Sequence, residues 1–156
     1  MEMKFLWGGA LFLLGWLWSY LFIRQLMFNF LTAYPLIKKM RALKDELIAP
    51  GASRYTTVSV IVNIIFAGLA LFLAIHFCKT YQLICFAVGA VLAFVMLIPR
   101  TKPDFPACFD IFCNGYYRFV PDDELRTAMY NKKQGEMKSR LKAMGVSGTF
   151  IPDFKR

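Results

Sequence analysis

Charged residues are missing from three long stretches of this 156-residue chain, residues 5–23, 58–77 and 81–98. A helix needs ~20 apolar residues to cross the ~30 Å hydrocarbon core of a bilayer, and each stretch is about that long. Hydrophobic residues make up 58% of the chain, more than the ~45–50% of typical soluble domains. The absence of charge over such lengths excludes a soluble domain. It predicts an all-α membrane protein with three transmembrane helices.

Motifs that carry catalysis or bind cofactors are also missing. The single histidine, His76, is predicted at the outer end of the second span, on the opposite side of the membrane from most acids, so no Ser-His-Asp arrangement can form. Cys108 and Cys113 lack the spacing and the second ligand pair of the usual zinc sites. No P-loop and no GxGxxG sequence occurs. The sequence therefore predicts no catalytic residue, metal, cofactor or nucleic-acid partner.

The charges that are present lie in two segments. Residues 24–57 hold six basic and two acidic residues, and the tail from residue 100 holds eleven basic and seven acidic residues. Lys and Arg favour the cytoplasmic side of membrane proteins. The predicted orientation is therefore N-out, C-in, most simply in a bacterial cytoplasmic membrane. Only Cys78 would face an oxidising exterior, so no disulfide framework is expected.

Two domains follow from this layout: a membrane domain over residues 1–99, with a basic cytoplasmic loop over 24–57, and a cytoplasmic tail over 100–156. In the tail, Asn114-Gly115 lies between aromatic and β-branched residues and predicts a β-hairpin over 108–120. Pro121 and the acids after it predict a helix over 121–144. Its apolar residues fall near one stripe: Leu125, Met129, Met137, Leu141 and Met144.

Spans 2 and 3 are joined by only a few residues, which predicts an antiparallel helical hairpin. Ala70 and Ala74 in span 2, and Gly89 and Ala93 in span 3, form small-xxx-small pairs that allow close helix packing. The same pairs also arise by chance in apolar sequence. Asn63 is a polar residue within span 2, and it fits either a substrate or ion contact or an interhelical hydrogen bond.

Basic residues predict a surface for anionic lipid headgroups or for a partner protein. In topology alone, the N-out arrangement with a basic segment after span 1 resembles the minimal three-span membrane insertases. The predicted surface comprises Lys38, Lys39, Arg41, Lys132, Lys133, Lys138, Arg140 and Lys142.

Three functions stay open at this point. The first is a non-catalytic subunit or adaptor of a membrane complex, bound to another membrane protein. The second is a small channel or transporter that assembles as a homo-oligomer, because three spans cannot enclose a pore alone. The third is a membrane enzyme acting on lipid headgroups, or an insertase-like protein. A stoichiometric foreign partner in mild detergent would favour the first function, and a pure homo-oligomer would favour the second.

Overall fold

The computed structural model describes residues 2–117 and 123–146, and in these residues it contains helices and no strands. Two π-helical turns, Ser19–Ile23 and Asn29–Ala33, join the first three helices into one helical stretch. A 3-10 turn, Ile98–Arg100, follows the fifth helix. The helices are α1 Glu2–Trp18, α2 Arg24–Phe28, α3 Tyr34–Ala42, α4 Ala49–Phe77, α5 Thr80–Leu97, α6 Phe105–Tyr117 and α7 Glu124–Ala143.

Three helical stretches are long and apolar enough to cross a membrane: Leu6–Ala42, Ala49–Phe77 and Thr80–Arg100. This finding confirms the predicted all-α class with three apolar helices. The first stretch is much longer than predicted, because the helix continues through Pro35. Proline lacks a backbone N–H and clashes with the carbonyl of residue i−4 in a regular helix. The π-helical turn directly before α3 reduces this conflict, since its hydrogen bonds reach the carbonyl five residues back instead of four.

The chain forms two compact units. The first unit contains Met1–Asn29 and Val58–Lys102, and the second contains Phe30–Thr57 and Pro103–Arg156. The segment 24–57 is largely helical, and its residues from Phe30 onward belong to the same unit as residues 103–156. The predicted division into a membrane domain over 1–99 and a cytoplasmic tail over 100–156 stays a prediction.

In the first unit, α1 and α5 approach with their backbones in direct contact. A Cβ atom on Gly15 would overlap the carbonyl of Phe86, and a Cβ atom on Gly89 would overlap the carbonyl of Phe12. Trp18 follows this contact, and its indole N–H donates to the carbonyl oxygen of Ala67 in α4 at 3.3 Å. The Trp18 ring also lies 5.9 Å from that of Phe86. Trp18 thus links all three apolar helices.

The second unit is built around large side chains that are almost completely buried. Four of them are 0% exposed: Leu36 and Met40 from α3, Phe109 from α6 and Leu141 from α7. Ile48 is 2% exposed. Leu36 and Met40 of α3 are therefore packed against protein in this unit. Its fully buried members come from both ends of the unit's sequence, so the core joins residues far apart in the chain.

The β-hairpin predicted over residues 108–120 is wrong for the described residues of that range, which lie in α6. The Asp104 carboxylate caps the helix by accepting from the N–H of Ala107 at 3.1 Å. The apolar residues recur at helical spacing, which buries one face of a helix and would split between the two faces of a strand. Asn114-Gly115 lies inside this helix, and residues 118–120 lie outside the described part of the chain. The apolar face consists of Phe105, Cys108, Phe109, Phe112 and Cys113.

The predicted helix over 121–144 is observed as α7, which the carboxylate of Asp123 caps by accepting from the N–H of Leu125 at 3.2 Å. Pro121 lies outside the described residues. Gly145, at φ 81°, ends the helix in the left-handed conformation, and the N–H of Val146 bonds to the carbonyl of Leu141 at 3.1 Å. The predicted apolar stripe is only partly right, because Met137 and Leu141 are buried whereas Leu125, Met129 and Met144 are exposed.

Candidate functional site

An ion pair inside the second unit connects α6 to α7. The ammonium nitrogen of Lys138 lies 3.6 Å from Oδ1 of Asp110, and the two side chains are 11% and 8% exposed. Eight residues before Lys138 on α7, the Tyr130 hydroxyl donates to the carbonyl oxygen of Cys113 in α6 at 3.0 Å. These contacts set the rotation of α7 on α6, because slipping either helix would leave charged or polar groups buried without partners. The contacts therefore fix which face of α7 points outward.

Lys138 was predicted to belong to the basic surface, and that role stays a prediction. In the structure the residue is 9% exposed and lies beside Asp110. Its position on α7 is on the same face as Met137 and Leu141, which are buried in the unit core. Sequence alone favoured exposure because an unpaired lysine is rarely buried. The counter-ion, Asp110, lies in the segment predicted as a hairpin, and its pairing with Lys138 on another helix has no local sequence signal.

The opposite face of α7 is exposed and combines apolar with basic side chains. Leu125 and Met129 are 71% and 57% exposed. Helical spacing places them on the same face as exposed basic residues and one exposed acid. We call this surface the outer face of α7. It consists of Leu125, Met129, Lys132, Lys133, Glu136 and Arg140.

The other predicted surface residues occupy different places. Lys142 is exposed but lies off the outer face. On α3, Lys38 and Arg41 are exposed, and Arg41 donates to the hydroxyl of Ser53 at 2.7 Å. Lys39 is half-buried, with its ammonium nitrogen 5.0 Å from the ring centre of Phe105. Lys39 therefore contributes to packing within the unit through a cation–π contact.

A cleft of about 150 Å³ lies between the α3–α4 connection and α7, within the second unit. Cofactor and drug-sized ligands occupy pockets of ~300–1,000 Å³, so this cleft suits a smaller group. Three basic and three acidic side chains line the cleft, so its formal charges balance and favour neither an anionic nor a cationic ligand. Lys44 at its rim has φ 56°, a left-handed conformation that closes the end of α3. The charged lining residues are Lys44, Asp45, Glu46, Lys133, Glu136 and Arg140.

The two cysteines of α6 are buried thiols. Burial raises the pKa of the Cys108 thiol from 9.0 to about 12, and the nearby Asp104 adds to the rise. Burial likewise raises the pKa of Cys113 to about 12, although the Tyr130 hydroxyl opposes it. Only a thiolate is a strong nucleophile or metal ligand. At neutral pH these two side chains therefore act as apolar packing groups.

Among the described residues, no three His, Cys, Asp or Glu side chains form a group that could hold a metal ion.

In the first unit, polar side chains are buried within the apolar helices. Asn63 is 9% exposed and Ser19 is 1% exposed. Neither the Oδ1 atom of Asn63 nor the Oγ atom of Ser19 has a hydrogen-bond partner. The interhelical hydrogen bond considered for Asn63 is thus absent for its oxygen. Both roles considered for Asn63 stay predictions.

The residues predicted to pack span 2 on span 3 divide between two environments. Gly89 and Ala93 are buried, and the backbone that Gly89 meets belongs to Phe12 in α1, the first span. Ala70 and Ala74 are half-buried in α4, and their packing role stays a prediction. Sequence reasoning missed Gly15 as the counterpart of Gly89. The signal was a Phe-x-x-Gly sequence that occurs in both helices, at 12–15 and at 86–89.

Sequence reasoning also missed a pairing between Tyr20 and Arg24. Nη1 of Arg24 donates to the hydroxyl of Tyr20, and the guanidinium carbon lies 5.1 Å from the centre of the Tyr20 ring. The i,i+4 spacing of an aromatic and a cation on one helix was the available signal.

In comparisons with known proteins, no protein family, no curated protein and no solved structure matches this chain.

Proposed function

We propose that the protein is a non-catalytic subunit or adaptor of a membrane complex, which binds an acidic partner protein on the outer face of α7. The outer face carries this proposal. Two large apolar side chains, Leu125 and Met129, are exposed there beside three basic residues, and apolar centres with charged rims are typical of protein interfaces. Burial of the opposite face holds α7 in place, so docking needs no rearrangement of the unit.

We also propose that the three apolar helices cross the membrane with the N-terminus outside and the C-terminus inside, in a bacterial cytoplasmic membrane. The concentration of basic residues in segment 24–57 and in the tail supports this orientation. An impermeant thiol reagent added to intact cells should label Cys78. It should not label a reporter introduced as Ser139→Cys, on the exposed surface of α7. Cys108 and Cys113 are unsuitable reporters because both are buried. Labelling of the reporter from outside would refute the orientation.

The docking proposal is tested by purification from native membranes in mild detergent. We expect a stoichiometric partner that dissociates as ionic strength rises, because exposed charges are screened by salt. The variant Met129→Glu with Lys132→Glu and Lys133→Glu should lose this partner. Lys38→Glu, an exposed change away from the outer face, should keep it. Retention by both variants contradicts the proposal, and binding of anionic vesicles without any partner protein would assign the face to lipid.

A homo-oligomeric channel or transporter is the second candidate. The unpaired polar atoms of Ser19 and Asn63 favour it, because polar groups inside transmembrane helices often mark a permeation path. The mass of the purified complex separates the two proposals. A complex made only of copies of this chain supports the channel, whereas a mixed complex supports the adaptor.

A further inference from the structure

Arg24 is a cation with apolar sequence on both sides. It lies within the helical stretch Leu6–Ala42, after the uncharged residues 5–23 and before Leu26–Phe28. Its side chain is exposed, and so is its neighbour Leu21, at 54%. A charged side chain at the edge of the hydrocarbon core is costly unless it meets water, a headgroup or an opposite charge. In the described part of the chain, no carboxylate pairs with Arg24.

The guanidinium is nevertheless held in one place. Tyr20, one turn earlier, accepts a hydrogen bond from Nη1 of Arg24 and lies with its ring 5.1 Å below the guanidinium carbon. A guanidinium has five N–H donors, so most remain available after this contact. The Tyr20 hydroxyl accepts from Arg24, and its own hydrogen is therefore free to donate to a second acceptor. The guanidinium N–H groups of Arg24 and the hydroxyl of Tyr20 are therefore neighbouring donors on the helix surface.

We propose that Tyr20 and Arg24 form a binding site for the phosphate group of a membrane phospholipid. Phosphate oxygens accept paired hydrogen bonds from a guanidinium in a geometry that an ammonium cannot reproduce. The phosphate is also the anion present at the depth where a long apolar helix leaves the hydrocarbon core. It compensates the charge of Arg24, and the Tyr20 hydroxyl donates to one of its remaining oxygens. The site shares no residue with the outer face of α7, and it requires only that the first helix lies in the membrane.

The test uses the full-length protein in detergent with added lipid, with bound lipid counted by native mass spectrometry. The wild type should retain phosphatidylglycerol through delipidation, and it should not retain a glycosyl diacylglycerol of equal chain length, which lacks phosphate. Arg24→Gln should lower phosphatidylglycerol occupancy roughly tenfold, as expected from the loss of a charge-assisted bond. Tyr20→Phe, which removes only the hydroxyl, should lower it severalfold, and Arg24→Lys should fall between the wild type and Arg24→Gln.

Arg54→Gln provides the matched control, because Arg54 is exposed and no aromatic ring among the described residues makes a cation–π contact with it. This variant should bind phosphatidylglycerol like the wild type. Equal loss from Arg24→Gln and Arg54→Gln would reduce the effect to general surface charge and overturn the site. Displacement of the lipid by millimolar inorganic phosphate would overturn its assignment to lipid. If Arg24→Gln fails to fold, Tyr20→Phe alone decides, and unchanged retention in that variant refutes the proposal. None of these outcomes depends on whether α7 binds a partner.

Discussion

Gly15 lies against the backbone carbonyl of Phe86, and Gly89 lies in the same way against the carbonyl of Phe12. Each helix therefore offers a carbonyl and, three residues later, a glycine that receives the carbonyl of the other. Such close approach allows Cα–H···O contacts and extensive van der Waals contact, which hold helices together in lipid, where the hydrophobic effect does not. The α1–α5 contact thus includes direct backbone approach at both glycines.

The first prediction follows from this reciprocal contact. Gly15→Ala and Gly89→Ala should each lower the free energy of unfolding in detergent by about 1–3 kcal/mol, because the added methyl group overlaps the backbone of the facing helix. Gly68→Ala is the control, since nothing lies within 4 Å of its added Cβ. The control should be neutral or slightly stabilising because alanine is the better helix former. Thermal unfolding in one detergent compares the three, and equal effects at all positions would contradict the contact.

The second prediction separates a helix from a hairpin at Gly115. A Cβ atom there would meet nothing within 4 Å. In α6, Gly115→Ala should therefore stabilise the protein by up to about 1 kcal/mol, because glycine is a poor helix former. In a two-residue hairpin turn the same change would destabilise, since that turn needs positive φ. The sign of the shift in melting temperature decides between the two structures.

A third prediction concerns the buried ion pair. Lys138→Met should lower the free energy of unfolding by about 3–5 kcal/mol, because it leaves the carboxylate of Asp110 buried without its cation. Asp110→Leu should cost a comparable amount. The double variant should be more stable than the sum of the two losses implies, since it removes both charges. Strictly additive losses in this double-mutant cycle would show that the two side chains do not interact energetically.

The fourth prediction is a loss of stability at alkaline pH. The pKa of Cys108 and of Cys113 is raised from 9.0 to about 12 in the folded protein. Above pH 9 the unfolded chain releases these protons while the folded chain keeps them, so folding stability falls as pH rises from about 9 towards 12. Thermal melts at pH 8 and at pH 10.5 should show the decrease in the wild type. Cys108→Ala with Cys113→Ala should melt lower at pH 8 and show a weaker decrease. An unchanged slope in that variant would assign the decrease to other groups.

Sequence alone was sufficient for the three apolar helices, because their length and lack of charge follow directly from the thickness of a bilayer. It failed at α6, where the local turn preference of Asn114-Gly115 was given more weight than the helical spacing of Phe109, Phe112 and Cys113. The turn signal is local, whereas Phe109 is fully buried in the core of the second unit, which also takes side chains from α3 and α7. No local rule reports such long-range contacts.

The predicted site divides along the same line. The exposed bases Lys132, Lys133 and Arg140 were identified from charge alone, because exposure is the default for a lysine or arginine. The burial of Lys138 could not be predicted locally, since its counter-ion lies 28 positions earlier in the chain, on another helix. The Tyr20–Arg24 pair could be predicted from local spacing, because an aromatic residue and a cation at i,i+4 lie on one helix face.

The second unit takes its core from both halves of the chain, and this arrangement constrains synthesis. Leu36 and Met40 are synthesised about a hundred residues before Leu141, which corresponds to ~5–20 s at a synthesis rate of ~5–20 residues per second. During that interval the apolar side chains of Leu36 and Met40 lack the C-terminal residues that complete their core. A message truncated after the third span would leave them so indefinitely. Quality-control proteases should therefore recognise premature termination products of this chain through the exposed face of α3, long before any loss of activity could be measured.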